Sequence, residues 1–285
     1  MVACVLDVLQ VETQAVTTLN LDADRPTEIE ATLVICSDSP KRVLQELSSL
    51  NSLAGFGLVH LEPILMGDTY FDTASADLGS RMIALRLRTV DDQAWIALKG
   101  PESLTAWGGV ERLELESAWS IRALSVLLSE LDSIGLATEV PSSLPDDLPP
   151  SEAVTSAGFV IVQERGTRRI VRNVTLPNDD PGNIIAELVI DSVRYKIRED
   201  VVCHYEIEIE AKSSEAEESI QAMMEELIGS FDSQIRLWKH GKLATGKALE
   251  KMADEGLLTG LVNSNRDLLP VAYDKIDGYL QKYPI

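Results

Sequence analysis

The sequence is poor in the residues that build several common kinds of functional site. Of its 285 residues, three are histidine and three are cysteine, and aromatic residues make up 5%. Cys4, Cys36 and Cys203 are widely separated and are not at metal-ligand spacing. Such scattered cysteines favour reduced thiols in a cytosolic protein. The sequence therefore offers few candidate residues for a histidine-centred metal site or a catalytic triad.

Long apolar runs, leader-like segments and common nucleotide motifs are also missing. There is no run of about 18 apolar residues, so we expect neither a transmembrane helix nor a membrane partner. The first residues, MVACVLDVLQVETQ, have no basic region and no A-x-A-like cleavage site, which predicts no secretory signal and a cytoplasmic location. The absence of G-x-G-x-x-G, Walker A, H-E-x-x-H and paired C-x-x-C motifs removes several enzyme classes.

Basic residues are few beside acidic ones. Lysine and arginine number 25 and aspartate and glutamate 46, so the formal net charge is −21. Such a field repels a bare polyanion, and we expect no binding to a nucleic acid backbone. A small phosphate ligand remains compatible if basic side chains are concentrated in one pocket, or if divalent ions bridge carboxylates to phosphates.

Hydrophobic periodicity predicts eight strands and five helices. The strands are expected over 27–36, 58–71, 82–90, 93–98, 110–119, 159–174, 184–195 and 201–212. The helices are expected from Pro40, over 121–134, over 215–228, and near 243–257 and 266–282. Runs of strands separated by helices are typical of an α+β fold with an antiparallel sheet. One linker-like stretch, PSSLPDDLPP at 141–150, separates either two domains or two halves of one domain.

Charged residues recur at every second position of the predicted strands, and such residues share one face. For any single strand, a solvated outer face explains the pattern. Together, the strands favour a closed barrel with apolar faces under helices and both charge signs inside, where each charge needs a partner. A polyphosphate with Mg²⁺ or Mn²⁺ would pair with both kinds of charge, the phosphates with the basic side chains and the metal ion with the carboxylates. The residues that share faces are Glu28 with Glu30, Arg86 with Arg88, Lys99 with Trp95, Arg112 with Glu114 and Glu116, Glu187 with Asp191, and Glu206 with Glu208 and Glu210.

Several short motifs follow one another in a defined order. They are EIE at 28–30, YFDT at 70–73, ALRLR at 84–88, LKGP at 98–101, RLELE at 112–116, ELVID at 187–191, YEIEIE at 205–210 and GKLATGKAL at 241–249. In this order they resemble the CYTH, or triphosphate tunnel, superfamily, which includes thiamine triphosphatases, inorganic triphosphatases and class IV adenylate cyclases. The resemblance covers roughly residues 26–255.

This resemblance implies a closed eight-stranded antiparallel β-barrel, with helices packed on the outside. The tunnel domain would span 26–257, between an N-terminal extension at 1–25 and a C-terminal helical extension at 258–285. Divalent Mg²⁺ or Mn²⁺ would be the cofactor. The phosphate-binding residues implied are Arg86, Arg88, Lys99, Arg168 and Lys242, of which Arg86, Arg88 and Lys99 would be catalytic. The implied metal ligands are Glu28, Glu30, Glu114, Glu116, Asp191, Glu206 and Glu208.

One of the implied positions depends on strand register, and another departs from the family pattern. Arg168 is chosen from a run of arginines at 165–172, where an offset of one residue reverses the face. Thr32 stands where the family has a lysine, which removes a positive charge from a site that stabilises developing negative charge. A milder departure is Gly241, where serine is usual.

The interpretation that these features favour is a metal-dependent hydrolase of inorganic, nucleotide or thiamine triphosphate. It would act on a small molecule as a monomer or homodimer. Three alternatives stay open: a triphosphate-binding protein without turnover, a class IV-type adenylate cyclase, and a sheet whose polar faces are merely solvated.

Overall fold

The computed structural model describes residues 27–136, 144–145, 147–177, 182–212 and 216–283. The predicted N-terminal extension lies outside this range, as do residues 141–143 and 146 of the linker-like stretch. For Thr27 and Glu28 the backbone is described and the side chains are not. None of the helices in the described segments has the length and apolarity needed to cross a membrane.

Twelve strands and seven α-helices occur in the described part of the chain. The strands are β1 (Thr27–Ile35), β2 (Ser52–Leu53), β3 (Phe56–His60), β4 (Ile64–Asp72), β5 (Ala84–Val90), β6 (Gln93–Lys99), β7 (Ser103–Leu104), β8 (Val110–Ala118), β9 (Val160–Thr175), β10 (Ile184–Ile197), β11 (Asp200–Ala211) and β12 (Ile235–Leu237). The helices are α1 (Pro40–Ser48), α2 (Asp77–Ser80), α3 (Ile121–Ser133), α4 (Pro150–Ser156), α5 (Glu217–Ser230), α6 (Lys242–Asp254) and α7 (Pro270–Lys282).

Eight of the strands close into an antiparallel barrel. Their order is β10-β11-β1-β8-β6-β5-β4-β9, and β9 pairs back with β10 over eleven register positions from Thr175 to Arg165. The short strands extend this ring without opening it, because β3 and β2 continue from β9, β12 pairs with β1, and β7 pairs with β8. The prediction of an α+β fold with a closed eight-stranded antiparallel barrel is therefore confirmed.

One predicted strand is in fact two. The sequence predicts a continuous strand over 58–71, whereas the structure places β3 and β4 on either side of a break at 61–63. Pro63 lies in this break, where it cannot donate a ladder hydrogen bond. The two pieces pair with different parts of β9, β3 with 172–175 and β4 with 160–169. Because of this break, the long strand β9 pairs with β3 at one end and with β4 over the rest of its length.

Helices cover the outer faces of the barrel. Ala31, Leu33 and Ile35 of β1 share an apolar cluster with α1 and α5. Leu85 and Leu87 of β5 share a second cluster with α3 and α4. Strands β1 and β5 therefore bury their apolar faces under helices and turn their charged faces into the barrel.

A third apolar cluster fills one end of the barrel. It joins Val34, Val193 and Tyr195, which lie on the inward-facing side of their strands, to residues of α6 and α7. The C-terminal helix is thus present, but it begins at Pro270 and not near 266, where Arg266 has a left-handed φ of 68°. It packs against the barrel end.

Helix α6 approaches this end so closely that only glycine fits at position 246. A Cβ there would lie 2.2 Å from Nε2 of Gln163 and 2.7 Å from Cε1 of Tyr195. We expect Gly246→Ala to lower the free energy of unfolding by about 1–3 kcal/mol, as overpacked cores do. Urea unfolding measures this difference.

Gly278→Ala is the matched control, because Gly278 lies within α7 and a Cβ there would meet nothing within 4 Å. It should raise stability by about 0.5–1 kcal/mol through helix propensity. Equal stability of Gly246→Ala and wild type would contradict the close packing of α6.

Candidate functional site

The inward faces of β5 and β6 form a wall of basic side chains. Arg86 and Arg88 alternate with Leu85 and Leu87, which the second apolar cluster buries, so the arginines point into the barrel. Nη2 of Arg86 contacts Glu116 at 2.5 Å and Glu114 at 3.2 Å. Nζ of Lys99 lies 2.6 Å from Glu114. Glu114 and Glu116, predicted as metal ligands, therefore pair with the phosphate-binding candidates in this structure.

Asp68 anchors the neighbouring part of this wall. Its carboxylate accepts two hydrogen bonds from Arg88, at 2.7 and 3.1 Å, and one from Arg165 at 3.3 Å. Arg165 also donates to the hydroxyl of Tyr70 at 2.5 Å. Burial alone would raise the pKa of Asp68, but the guanidinium groups of Arg88 and Arg165 outweigh it and hold this pKa well below its usual range. Asp68 thus stays ionised and fixes both arginines.

The prediction that Arg168 lines the tunnel is wrong. Arg168 is exposed and lies opposite Leu65, also exposed, on the outer face of the β4–β9 pair. Its odd-numbered neighbours Arg165 and Arg169 point inward, so the correct face is offset by one residue. The alternation of side chains along β9 gives no sign of which arginines face inward until the register with β4 and β10 is known.

Strands β10 and β11 carry an acidic wall that holds two cations. Nζ of Lys242, at the start of α6, contacts Glu206, Glu208 at 2.5 Å and Asp191 at 3.2 Å. Arg169 binds both oxygens of Asp191, at 2.9 and 2.7 Å, and Glu208 at 2.8 Å. The structure therefore brings Asp191, Glu206, Glu208 and Lys242 together, as the resemblance implies.

This pairing controls the protonation of the wall. Burial would lower the pKa of Lys242, but Glu206, Glu208 and Asp191 reverse that effect and raise it. Burial would raise the pKa of Glu208, yet Lys242 and Arg169 bring it well below its ordinary value. The ammonium of Lys242 and the carboxylate of Glu208 are consequently ionised near neutral pH.

Further carboxylates form a row across three neighbouring strands. Glu187 of β10 lies opposite Glu210 of β11, which lies opposite Glu30 of β1. Glu30 pairs with Arg112 at 3.0 Å and Glu210 with Lys212 at 2.8 Å. Like charges directly opposite each other repel, so this row favours a bound cation.

Among the described side chains, no group of three or more His, Cys, Asp or Glu residues is arranged to hold an ion. Glu28 lies on β1 opposite Arg112, but its side chain is outside the described part of the structure.

Thr32 sits in the middle of the acidic wall. It is 6% exposed and lies opposite Glu208. A hydroxyl cannot neutralise a carboxylate, so the positive charge beside Glu208 comes from Lys242 and Arg169. At this position the site has one cation fewer than the family pattern implies.

Two buried polar atoms of inward-facing residues have no protein partner within the described segments. They are Nε of Arg86 and Oγ1 of Thr167, on residues that are each 5% exposed. A buried donor without a partner is costly. A ligand with acceptor oxygens inside the barrel would give the Nε of Arg86 a partner.

Comparison with known proteins places this arrangement in context. The sequence model of the CYTH domain matches residues 41–236. No match was found among curated proteins.

The solved structures that match this chain are distant from it in sequence. A Hippeastrum protein described as a candidate adenylyl cyclase with a dominant triphosphatase activity is 22% identical, with 78% of this chain and 96% of that chain covered and a TM-score of 0.48. A candidate adenylate cyclase from Bacillus halodurans is 18% identical, covering 76% and 95%, with a TM-score of 0.42. The Mimivirus capping enzyme triphosphatase is 12% identical, covering 74% and 89%, with a TM-score of 0.34.

Asp68→Asn tests whether this carboxylate fixes the basic wall. Asp68 is 3% exposed, and its loss leaves two buried guanidinium groups without their anion. We expect the free energy of unfolding to fall by about 3–5 kcal/mol near neutral pH, as for a broken buried pair. Denaturant unfolding at several pH values measures it.

The pH dependence has a definite sign. Because folding depresses the pKa of Asp68, its contribution is present above the unfolded pKa, about 3.9, and is lost as pH falls below it. The difference in the free energy of unfolding between wild type and Asp68→Asn should therefore become smaller as the pH falls from about 6 to about 3. Asp274→Asn, which removes an exposed partner of Arg236, should cost under about 1 kcal/mol. A pH-independent gap would contradict this account.

Proposed function

Because the chain belongs to the CYTH domain family, whose model matches more than half of it, we propose that it is a metal-dependent triphosphate hydrolase. Its substrate would be inorganic triphosphate or the triphosphate of a nucleotide or thiamine, and orthophosphate would be released. The observation that carries this proposal is the joint presence, inside one closed barrel, of a facing acidic wall and a basic wall with a donor that has no partner among the described residues.

The basic wall supplies the phosphate contacts. Arg86, Arg88 and Lys99 reach the interior from two adjacent strands, and the Nε of Arg86 adds a donor that no group in the described part of the chain uses. Guanidinium forks and ammonium groups bind phosphate oxygens strongly, above all in a site shielded from water. As the bond to the terminal phosphoryl group breaks, these charges would stabilise the negative charge that builds up on its oxygens.

The acidic wall suits a hard divalent cation. Glu30, Asp191, Glu206 and Glu208 offer only carboxylate oxygens, the donors that Mg²⁺ and Mn²⁺ prefer. The low pKa of Glu208 keeps this donor ionised. A bound ion would neutralise phosphate charge and lower the pKa of a bound water. Lys242 and Arg169, which neutralise these carboxylates in the structure, would then be available to phosphate oxygens.

A second candidate function is triphosphate binding without turnover. Thr32 favours this second candidate. It lies opposite Glu208 in the middle of the acidic wall, where a lysine would add a positive charge. Both candidates share the tunnel and differ in whether the remaining cations suffice for hydrolysis.

Phosphate release tests the leading proposal directly. Purified protein is incubated with tripolyphosphate, ATP or thiamine triphosphate plus Mg²⁺ or Mn²⁺, and orthophosphate and cyclic AMP are assayed. We expect orthophosphate without cyclic AMP. Lys99→Met should reduce the rate by about 10²–10³-fold, as loss of one transition-state contact does.

Lys196→Met is the matched control for Lys99→Met. Lys196 is exposed on the outward face of β10 and pairs with Glu164 at 2.9 Å. Its removal should leave the rate unchanged. Intact substrates, combined with a higher melting temperature in tripolyphosphate, would overturn hydrolysis in favour of binding; release of cyclic AMP from ATP would favour the cyclase.

Replacing Thr32 separates the two candidates further. Thr32→Lys restores the missing charge, and we expect it to raise kcat for tripolyphosphate, because a cation opposite Glu208 adds to the field that stabilises the transition state. Thr32→Met fills a similar volume without charge and should not raise kcat. An equal response of both variants would show that the charge at this position is irrelevant.

A further inference from the structure

Helix α7, which lies beyond the matched segment, carries a side chain that is buried next to the barrel strand β11. The CYTH match ends at 236, and α7 begins at Pro270. Residues 266–268 attach its start to β11, because Cys203 donates to Arg266 at 2.7 Å and Leu268 donates to Cys203 at 3.0 Å. Tyr273 is fully buried and packs edge-on against Trp238, with ring centroids 5.6 Å apart. These contacts fix α7 beside His204, the residue that follows Cys203.

Tyr273 starts a series of buried polar contacts that ends at the acidic wall. Its hydroxyl lies 3.3 Å from Nδ1 of His204, whose Nε2 lies 2.8 Å from Oε2 of Glu206. The other oxygen of Glu206 accepts from Nζ of Lys242. His204 and Tyr273 are 0% exposed and Glu206 is 1% exposed. Water therefore does not compete for these contacts, and each group has one defined partner on each side.

The chemistry of the three groups fixes the direction of each hydrogen bond. The carboxylate of Glu206 can only accept, so the hydrogen of a neutral His204 lies on Nε2. Nδ1 is then an acceptor for the hydroxyl of Tyr273. Burial raises the pKa of Tyr273, so the hydroxyl keeps the proton that it donates. By donating to the ring nitrogen that carries no hydrogen, the hydroxyl stabilises the tautomer that holds Glu206.

We propose that Tyr273 is a positioning residue for the tunnel: through His204 it orients Glu206, and through Glu206 it places the ammonium of Lys242. This proposal rests on the proposed function, since Lys242 is taken to bind phosphate. It gives the C-terminal helix a part in the site that the matched segment does not contain. Outer groups that orient a ligand side chain contribute about 10–100-fold in affinity or activity.

Tyr273→Phe tests the proposal because it removes one hydroxyl and keeps the ring in the core. The Kd of tripolyphosphate in Mg²⁺ is measured by calorimetry, and ¹⁵N spectra report the tautomer of His204. We expect Kd to rise about 10-fold and the single Nε2–H tautomer to give way to a mixture. Tyr279→Phe is the control, since Tyr279 lies on the same helix and its hydroxyl bonds Glu255 at 2.9 Å, away from His204. It should change neither quantity.

A second pair of variants distinguishes positioning from a structural role. His204→Gln keeps an N–H toward Glu206 that needs no help from Tyr273. In this background Tyr273→Phe should have no further effect on Kd, whereas a structural role would weaken binding equally in both backgrounds. An unchanged Kd and tautomer in Tyr273→Phe would overturn the proposal.

Failure of the proposed function would look different. Wild-type protein would then neither bind nor cleave tripolyphosphate. The ¹⁵N spectra would still show whether the Tyr273 hydroxyl sets the tautomer of His204. In that case an Nε2–H tautomer that persists in Tyr273→Phe overturns the positioning role, and its loss supports that role.

Discussion

Closure of the barrel between β9 and β10 is the constraint on which the remaining features depend. Eleven register positions join these strands and turn an open sheet into a ring. Closure moves inward-facing charges such as those of Asp68, Arg86 and Asp191 away from bulk water. Inside the barrel, each such charge must find a partner of opposite sign or remain at high cost. The helices on the outside follow from the same closure, because they cover the apolar faces that the ring turns outward.

The interior pairing meets this demand incompletely. Asp68 holds Arg88 and Arg165, and Asp191 and Glu208 hold Arg169 and Lys242. Nε of Arg86 stays without a partner in the described part of the chain, and the Glu187–Glu210–Glu30 row places like charges side by side. A triphosphate with a divalent ion would give the Nε of Arg86 an acceptor and would place a positive charge beside this row. This is why we propose binding of such a ligand for a protein whose net charge is −21.

Much of this arrangement can be predicted from alternation alone. Charged and apolar residues alternate along the unbroken strands β5, β6 and β8, so the charged ones share a face of each strand. The structure places these charged residues on the inward side of the barrel: Arg86 and Arg88 of β5, Lys99 of β6 and Glu114 of β8. The same rule is wrong for Arg168, because four arginines at 165, 168, 169 and 172 put charge on both faces of β9. Only pairing with β4 and β10 shows which face is inside.

Other contacts depend on the tertiary structure and leave no signal in the sequence. Asp68 lies just before the YFDT motif, but its role follows from the two arginines that β5 and β9 bring to it. Tyr273 and His204 are 69 residues apart and meet only because residues 266–268 pair with β11. The break at Pro63, by contrast, is readable: a proline inside a predicted strand marks an interruption.

The central claim is that the barrel interior receives a triphosphate between its two charged walls. A crystal structure with tripolyphosphate and Mg²⁺ measures this directly. The account predicts phosphate oxygens within about 3 Å of Nε of Arg86 and Nζ of Lys99, with the ion on carboxylates of β1, β10 and β11. Tripolyphosphate bound outside the barrel, with the internal ion pairs of Arg86 and Lys99 unchanged, would contradict it.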